Sequence, residues 1–358
     1  MNPSRLLTFV LVCTCALIPS MRAASASITY PAAPTGPGAG RHLVFLSGDE
    51  EYRSEEGLPM LAKILSQRHG FRCTVLFAID PDGTINPDNN QSVPNSEALD
   101  SADGIVLGLR FRQWPDAAMQ RFAAAVARGI PLVALRTSTH AFRFPADNPS
   151  RYKSFNNFGR EVLGENWVSH WGANRRGATR GLIEPGAESD PILRGVTEIF
   201  GDSGAYETHP VAGSKILARA QVLAGMKPTD APDTQQRKKR HVDGIEQGIN
   251  DPMMPVAWTR THTNPNGNTN RVFCTTMGAA TDLANEALRR MIINAVLWGF
   301  ALEIPTHTDV RFVDKFVPSP YAFKGYRRGL TPDDHALGKV LPPGTPPPPS
   351  APNPKKKI

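Results

Sequence analysis

The segment Arg136-Thr-Ser-Thr-His140 sets a cation, three hydroxyls and an imidazole directly after the apolar run 130–135. A run of that length makes one buried strand. In an open parallel sheet, chemistry sits in the crevice at the carboxyl ends of the strands. Arg136 at such an end can hold a carboxylate, a phosphate or a developing oxyanion. His140 can move protons near neutral pH, and Ser138 offers a hydroxyl to a ligand. The motif Ser47-Gly-Asp-Glu-Glu-Tyr-Arg53 follows another apolar run, 42–46, and faces the same crevice. Glu51 suits a general base there, with Glu50, Tyr52 and Arg53 as ligand contacts. His170-Trp171 pairs an imidazole for a sugar hydroxyl with an aromatic face for a pyranose, although Trp167 and Trp171 serve equally well as core residues. Tyr206-Glu-Thr-His209 adds His209.

Several chemistries are disfavoured by what the chain lacks. No glycine-rich phosphate loop follows the first strand, and the acidic residues there repel a pyrophosphate, so no nucleotide cofactor is expected. No G-x-S-x-G motif occurs. Imidazoles and carboxylates could bind zinc, but no tight spacing such as H-E-x-x-H is present. The formal net charge of +7 is concentrated in Arg237-Lys-Lys-Arg240 and Lys355-Lys-Lys357. Without these runs the body is nearly neutral, which argues against nucleic acid as a partner. Both runs read as solvated, flexible segments.

The elements that must position these groups follow a β-α rhythm. Strands are expected at 42–46, 71–79, 105–109 and 130–135. The first helix starts at an N-capping Ser54, carries Leu58, Leu61, Ala62 and Leu65 on one face, and ends at Gly70. A second spans 116–128 and closes at Gly129. Strands at 256–259 and 271–276 flank a turn at 264–268, and a helix capped by Thr281 or Asp282 follows. This alternation predicts a doubly wound, mostly parallel α/β sheet. Residues 1–26 read as a secretory signal, with Arg5, the apolar stretch 6–18 and small residues at 21–26. Export to the periplasm or medium is then expected, with no stable membrane insertion after cleavage. Residues 27–40 read as a Pro/Gly linker, 41–302 as the α/β domain, 303–340 as an extended arm and 341–358 as a disordered tail. Cys73 and Cys274 read as buried free thiols.

The motifs His42-Leu-Val-Phe-Leu-Ser-Gly48, Ala134-Leu-Arg-Thr-Ser-Thr-His-Ala-Phe142, Arg160-Glu-Val-Leu-Gly164, Met254-Pro-Val-Ala-Trp-Thr-Arg260 and Arg271-Val-Phe-Cys-Thr-Thr-Met-Gly-Ala-Ala-Thr-Asp282 resemble the ThuA-like trehalose-utilisation domain. The resemblance implies a flavodoxin-like sheet of the glutamine-amidotransferase-like superfamily. It also implies a role in carbohydrate catabolism, on trehalose, a related disaccharide or a 3-keto-glycoside. Amidotransferase relatives carry a nucleophilic cysteine on the turn after the strand at 130–135. Thr137, Ser138 and Thr139 stand there instead, so cysteine-dependent glutamine hydrolysis is excluded. A serine or threonine nucleophile is disfavoured because no glycines flank the turn. The expected activity is that of a carbohydrate-active hydrolase, lyase or isomerase using Glu51, Arg136 and His140. Two rival readings stand beside it: a non-catalytic sugar-binding module, and a scaffold whose aromatic arm docks on another protein. A homo-oligomer is compatible with each.

Overall fold

The computed structural model describes residues 25–343. Residues 1–24, most of the segment read as a signal, and residues 344–358, most of the expected tail, lie outside them. In chain order the strands are β1 (Ser27–Tyr30), β2 (His42–Gly48), β3 (Arg72–Leu76), β4 (Gly104–Leu109), β5 (Leu132–Leu135), β6 (Thr179–Ile183), β7 (Ile199–Gly201), β8 (Lys215–Val222), β9 (Arg237–Lys239), β10 (Glu246–Gly248), β11 (Met254–Thr263) and β12 (Thr269–Thr275). The helices are α1 (Ser54–His69), α2 (Asp116–Ala127) and α3 (Glu286–Gly299).

Ten strands form one sheet in the order β1-β3-β2-β4-β5-β12-β11-β8-β6-β7. Its centre, β3-β2-β4-β5-β12, is parallel, and antiparallel strands extend it on both sides. The central strands are buried on both faces, as near-continuous apolar runs require. Leu43, Phe45, Val106, Val133 and Phe273 face α1 and α3. Their neighbours Val44, Leu46, Ile105, Leu132, Ala134 and Val272 face α2. The period of two along each strand thus divides the core between the two sides of the sheet. The fold is the doubly wound α/β class. Cys73 and Cys274 are both buried and unpaired. Among the described residues no helix is long and apolar enough to cross a membrane.

Several expectations change in detail. The segment 27–40 is not a free linker. Ser27-Ile-Thr-Tyr30 pairs with β3 as an edge strand, Thr29 Oγ1 meets Thr74 Oγ1 at 2.9 Å, and the Tyr30 hydroxyl donates to the carbonyl of His335. Its β-branched and aromatic residues outweigh the Pro and Gly that follow. Ser54 does not cap α1. Its hydroxyl meets Ser47 Oγ and accepts from the Asp49 amide, while Arg53 holds the cap position at φ 62°. Asn285, not Thr281 or Asp282, caps α3 by accepting from the Leu288 amide at 2.8 Å. The basic run Arg237–Lys239 is a strand of a small hairpin with β10 rather than a solvated coil. Lys238 Nζ donates to the carbonyls of His170 and Trp171 at 2.6 and 3.1 Å. The arm lies on its own chain, as Lys63, Arg68 and His69 of α1 bond Asp314, Arg311 and Asp309.

One glycine fixes the turn after β5. A Cβ on Gly159 would meet the Thr139 carbonyl and come within 2.6 Å of Glu165 O and Asn166 Oδ1. Most of these neighbours are backbone and cannot rotate away. Gly159→Ala is expected to destabilise the fold by roughly 2–3 kcal/mol, measurable as a lower urea midpoint.

Candidate active site at the strand carboxyl ends

The turns after β2, β4 and β5 meet above the parallel centre of the sheet. Each contains a non-glycine residue in the left-handed region: Arg53 at φ 62°, Phe111 at 49° and Arg136 at 47°. Such conformations cost free energy and gather at functional sites. The turn after β5 is therefore strained although no glycine flanks it. Gly278 makes room for it, since a Cβ there would lie 2.9 Å from Leu135 Cβ.

Asp49 knits the turns after β2 and β5 together. Its Oδ1 accepts from the amides of Glu51 and Tyr52 at 2.8 and 3.0 Å, and its Oδ2 accepts from Thr137 Oγ1 at 2.5 Å. Glu50 is paired with Arg110 and, at 3.1 Å, with Arg112, so it anchors the β4 turn. Glu51 is different. It is 8% exposed, and its carboxyl oxygens make no hydrogen bond within the described chain. Burial, and then the charge of Asp49, push its pKa up to about 7 against the opposing pull of Arg110 and Arg136. A carboxyl poised there suits a general acid or base at neutral pH.

Arg136 is buried between two aromatic rings, 4.3 Å from the Tyr52 centroid and 4.0 Å from that of Tyr206. Its Nη1 donates to the carbonyls of Gly204 and Thr276 at 2.8 and 2.7 Å, and Nη2 donates to the Tyr52 hydroxyl at 3.0 Å. Only its Nε lacks a partner. Burial works against its charge, but Tyr206, Tyr52 and Asp282 outweigh that and hold it protonated. Arg136 therefore acts as a fixed buried cation, with the rest of its fork already engaged.

The hydroxyls of the β5 turn point inward. Ser138 Oγ donates to the Leu107 carbonyl at 3.0 Å and accepts from the Leu109 amide at 3.3 Å. Thr137 binds Asp49 and Thr139 lies 3.3 Å from His140 Nδ1. Each hydroxyl is occupied in holding the turn. His140 packs its ring against Phe111 at 4.9 Å and Trp167 at 5.1 Å. Burial, then Arg110 and Arg136, lower its pKa well below the usual histidine value. It is a neutral hydrogen-bonding group near neutral pH. His170 is lowered to about 4 by burial and by Arg136, Lys238 and Arg110. Its Nδ1 and the indole Nε1 of Trp167 are buried without a partner. Tyr206 packs on His170 at 5.2 Å, and burial raises its pKa, so its hydroxyl stays a proton donor.

The remaining candidates lie elsewhere. Trp171 is a core residue, 1% exposed, with Nε1 donating to the Ile249 carbonyl at 2.7 Å. Arg53 points to the arm and donates to the Ala322 carbonyl. His209 lies 3.3 Å from Glu207, whose carboxylate also binds His241 and Ser169. That cluster pins the β9–β10 hairpin, and His209 lines a separate cleft with Arg219 and Arg240. Among the described residues no three His, Cys, Asp or Glu side chains gather as metal ligands.

Five residues of the site were not singled out from sequence. Arg110 and Phe111 follow β4 just as Arg136 follows β5, so the same strand-end rule would have found them. Asn174 donates to the Tyr52 hydroxyl at 2.8 Å, from an irregular loop. Tyr321 of the arm lies 5.2 Å from Tyr52, with the Ala322 amide donating to the Glu51 carbonyl. Next to it Phe323 stays 50% exposed, with the Arg110 guanidinium 4.9 Å from its ring and 4.6 Å from that of Phe111.

No family model matches the chain, and no curated protein matches it in sequence. Solved structures do align with it. A ThuA-like protein from Parabacteroides merdae ATCC 43184 is 14% identical, over 72% of this chain and 89% of that one, with a TM-score of 0.44. One from Bacteroides uniformis ATCC 8492 is also 14% identical, over 75% of this chain and 94% of that one, with a TM-score of 0.38. PurLQS from Thermotoga maritima aligns at 10% identity over 72% and 97% of the two chains, with a TM-score of 0.35.

Proposed function

We propose that the crevice binds a carbohydrate and that Glu51 performs acid–base chemistry on it. The observation that carries this reading is the Glu51 carboxyl itself: free of internal hydrogen bonds, nearly buried, and held near 7 beside a fixed cation. The order of the sequence motifs that resemble the ThuA-like domain supports trehalose, a related disaccharide or a 3-keto-glycoside as the substrate class. Residues 1–26, as an export signal, would place the reaction outside the cytoplasm.

The site favours proton abstraction next to a carbonyl over oxocarbenium chemistry. The latter needs two carboxyl groups flanking one bond, and Glu50 is committed to Arg110 and Arg112. Glu51 as carboxylate takes the proton from the carbon beside the carbonyl. The Tyr206 hydroxyl, kept protonated, donates to the oxygen on which charge develops. Arg136 stabilises that charge through its field, which is strong in a site with little water. His140, His170 and the Trp167 indole offer neutral hydrogen bonds to ring hydroxyls. Phe111 and Phe323 offer apolar faces at the mouth.

Calorimetry with trehalose and with a 3-keto disaccharide, read beside product analysis, tests this reading. Saturable binding of the keto sugar with formation of product is expected. Saturable binding without product would identify a non-catalytic module, and failure to bind either sugar would refute the carbohydrate class.

A further inference from the structure

A second recess lies between α1 and the C-terminal arm, away from the strand ends. Its water-accessible volume is about 40 Å³. Met60, Val313, Phe316 and Val317 give it apolar walls, and Lys63, Lys315, Arg327 and His335 line its polar part. The acidic groups around it are already engaged. Asp314 holds Lys63 at 2.6 Å, Asp334 accepts from the Thr331 amide and hydroxyl, and Glu56 accepts from the amide and hydroxyl of Ser319.

Two basic groups are left short of partners. Arg327 is 7% exposed, and only its Nη2 is hydrogen-bonded, to the Val317 carbonyl at 2.7 Å. Its Nε faces Glu56 in an ion pair at 3.6 Å without a hydrogen bond, and its Nη1 is buried without a partner. His335 is 3% exposed, stacked on Phe77, and its Nε2 is also buried without a partner. A guanidinium N–H left without an acceptor in a buried recess is costly unless something takes its hydrogen bond. Native folds rarely leave such groups empty-handed.

We infer that this recess binds a small organic carboxylate with a short apolar stem. The carboxylate would accept from Arg327 Nη1, because the Nε–Nη2 edge already faces Glu56 and the Val317 carbonyl. His335 Nε2 would donate a further bond, and the stem would lie against Met60, Phe316 and Val317. Lys315, exposed at the mouth, supplies attraction for the anion. The site is independent of the carbohydrate reading. It also sits at the base of the arm loop, because the chain leaves the recess at Val317, presents Tyr321–Phe323 to the crevice, and returns at Arg327.

Titration of the full chain with butyrate, using butyramide and inorganic sulfate as comparison probes, tests this inference. Butyrate is expected to saturate a single site, with butyramide and sulfate at least about tenfold weaker, and Arg327→Gln to weaken butyrate by about tenfold or more. In the unmodified protein, nuclear Overhauser contacts are expected from the butyrate methyl to the Met60 methyl. That measurement decides the matter even where Arg327→Gln fails to fold. Absence of saturation or of those contacts, sulfate or butyramide equalling butyrate, or a folded Arg327→Gln that binds butyrate unchanged, would each overturn the assignment.

Discussion

Glu51→Gln is expected to lower turnover by about 10²–10⁴-fold, the range over which a positioned general base contributes, while sugar binding survives. The amide is isosteric but cannot take a proton. In the wild type the base works as carboxylate, so activity on the sugar should rise through about pH 7, where burial and Asp49 place the Glu51 pKa. The same shift carries a stability signature. The folded pKa lies above the value of 4.5 for an unperturbed carboxyl, so the folded state holds the proton more tightly than the unfolded state. Stability is then fully present below about pH 4.5 and declines as pH rises through 7. The integrated effect is on the order of 3 kcal/mol before solvent screening reduces it. Glu51→Gln should remove this slope and make the protein more stable than wild type above pH 8. Urea titrations at pH 5 and pH 8 check it, and identical slopes in the two proteins would contradict the buried, protonatable carboxyl.

Arg136→Met is the second large effect, and it should appear both in stability and in the pH profile. The substitution keeps volume but withdraws the donors that satisfy the carbonyls of Gly204 and Thr276 and the Tyr52 hydroxyl. Leaving such groups buried costs about 1–3 kcal/mol each. A total loss of about 3 kcal/mol is expected after local relaxation. Arg136 also pulls the Glu51 pKa down. Without it Glu51 should titrate higher, so the rise in activity moves to a pH above 7 and its plateau falls. Arg136→Lys retains the charge but not the fork or the stacking geometry, so it should shift the pH profile less than Arg136→Met while still losing stability. A pH–rate profile unchanged in Arg136→Met would show that the cation does not act on Glu51.

The parallel centre of this fold is plain in the chain because it rests on local signals. Apolar runs bounded by turns marked β2, β4, β5 and β12. Gly70 marked the end of α1, which it closes in the left-handed region at φ 73°. The same runs located the crevice, since the strand-end rule needs only order and polarity. The distinctions within the crevice were not legible. Glu50 and Glu51 are adjacent and identical, and which of them is free depends on Arg110 and Arg112 two strands away in sequence. Trp167 and Trp171 lie in a segment without regular periodicity, so nothing marked the first as facing the site and the second as core. His140 carries no local cue to its neutral state, which follows from burial beside two arginines that only the fold assembles. Tyr321 reaches Tyr52 across most of the chain, and no spacing rule connects them. The edge strand β1 and the hairpin strand β9 were hidden by composition, the one by neighbouring Pro and Gly and the other by its own charge.

The central claim is that the Glu51 carboxylate removes a carbon-bound proton from a keto sugar. Incubating a 3-keto disaccharide with the protein in deuterium oxide, followed by proton NMR of recovered substrate and product, measures that step directly. Deuterium is expected at the carbon beside the carbonyl with the wild type, at a rate that rises through about pH 7, and none above background with Glu51→Gln. Deuterium incorporation at equal rates with both proteins, or product formed by the wild type with no deuterium incorporated, would contradict it.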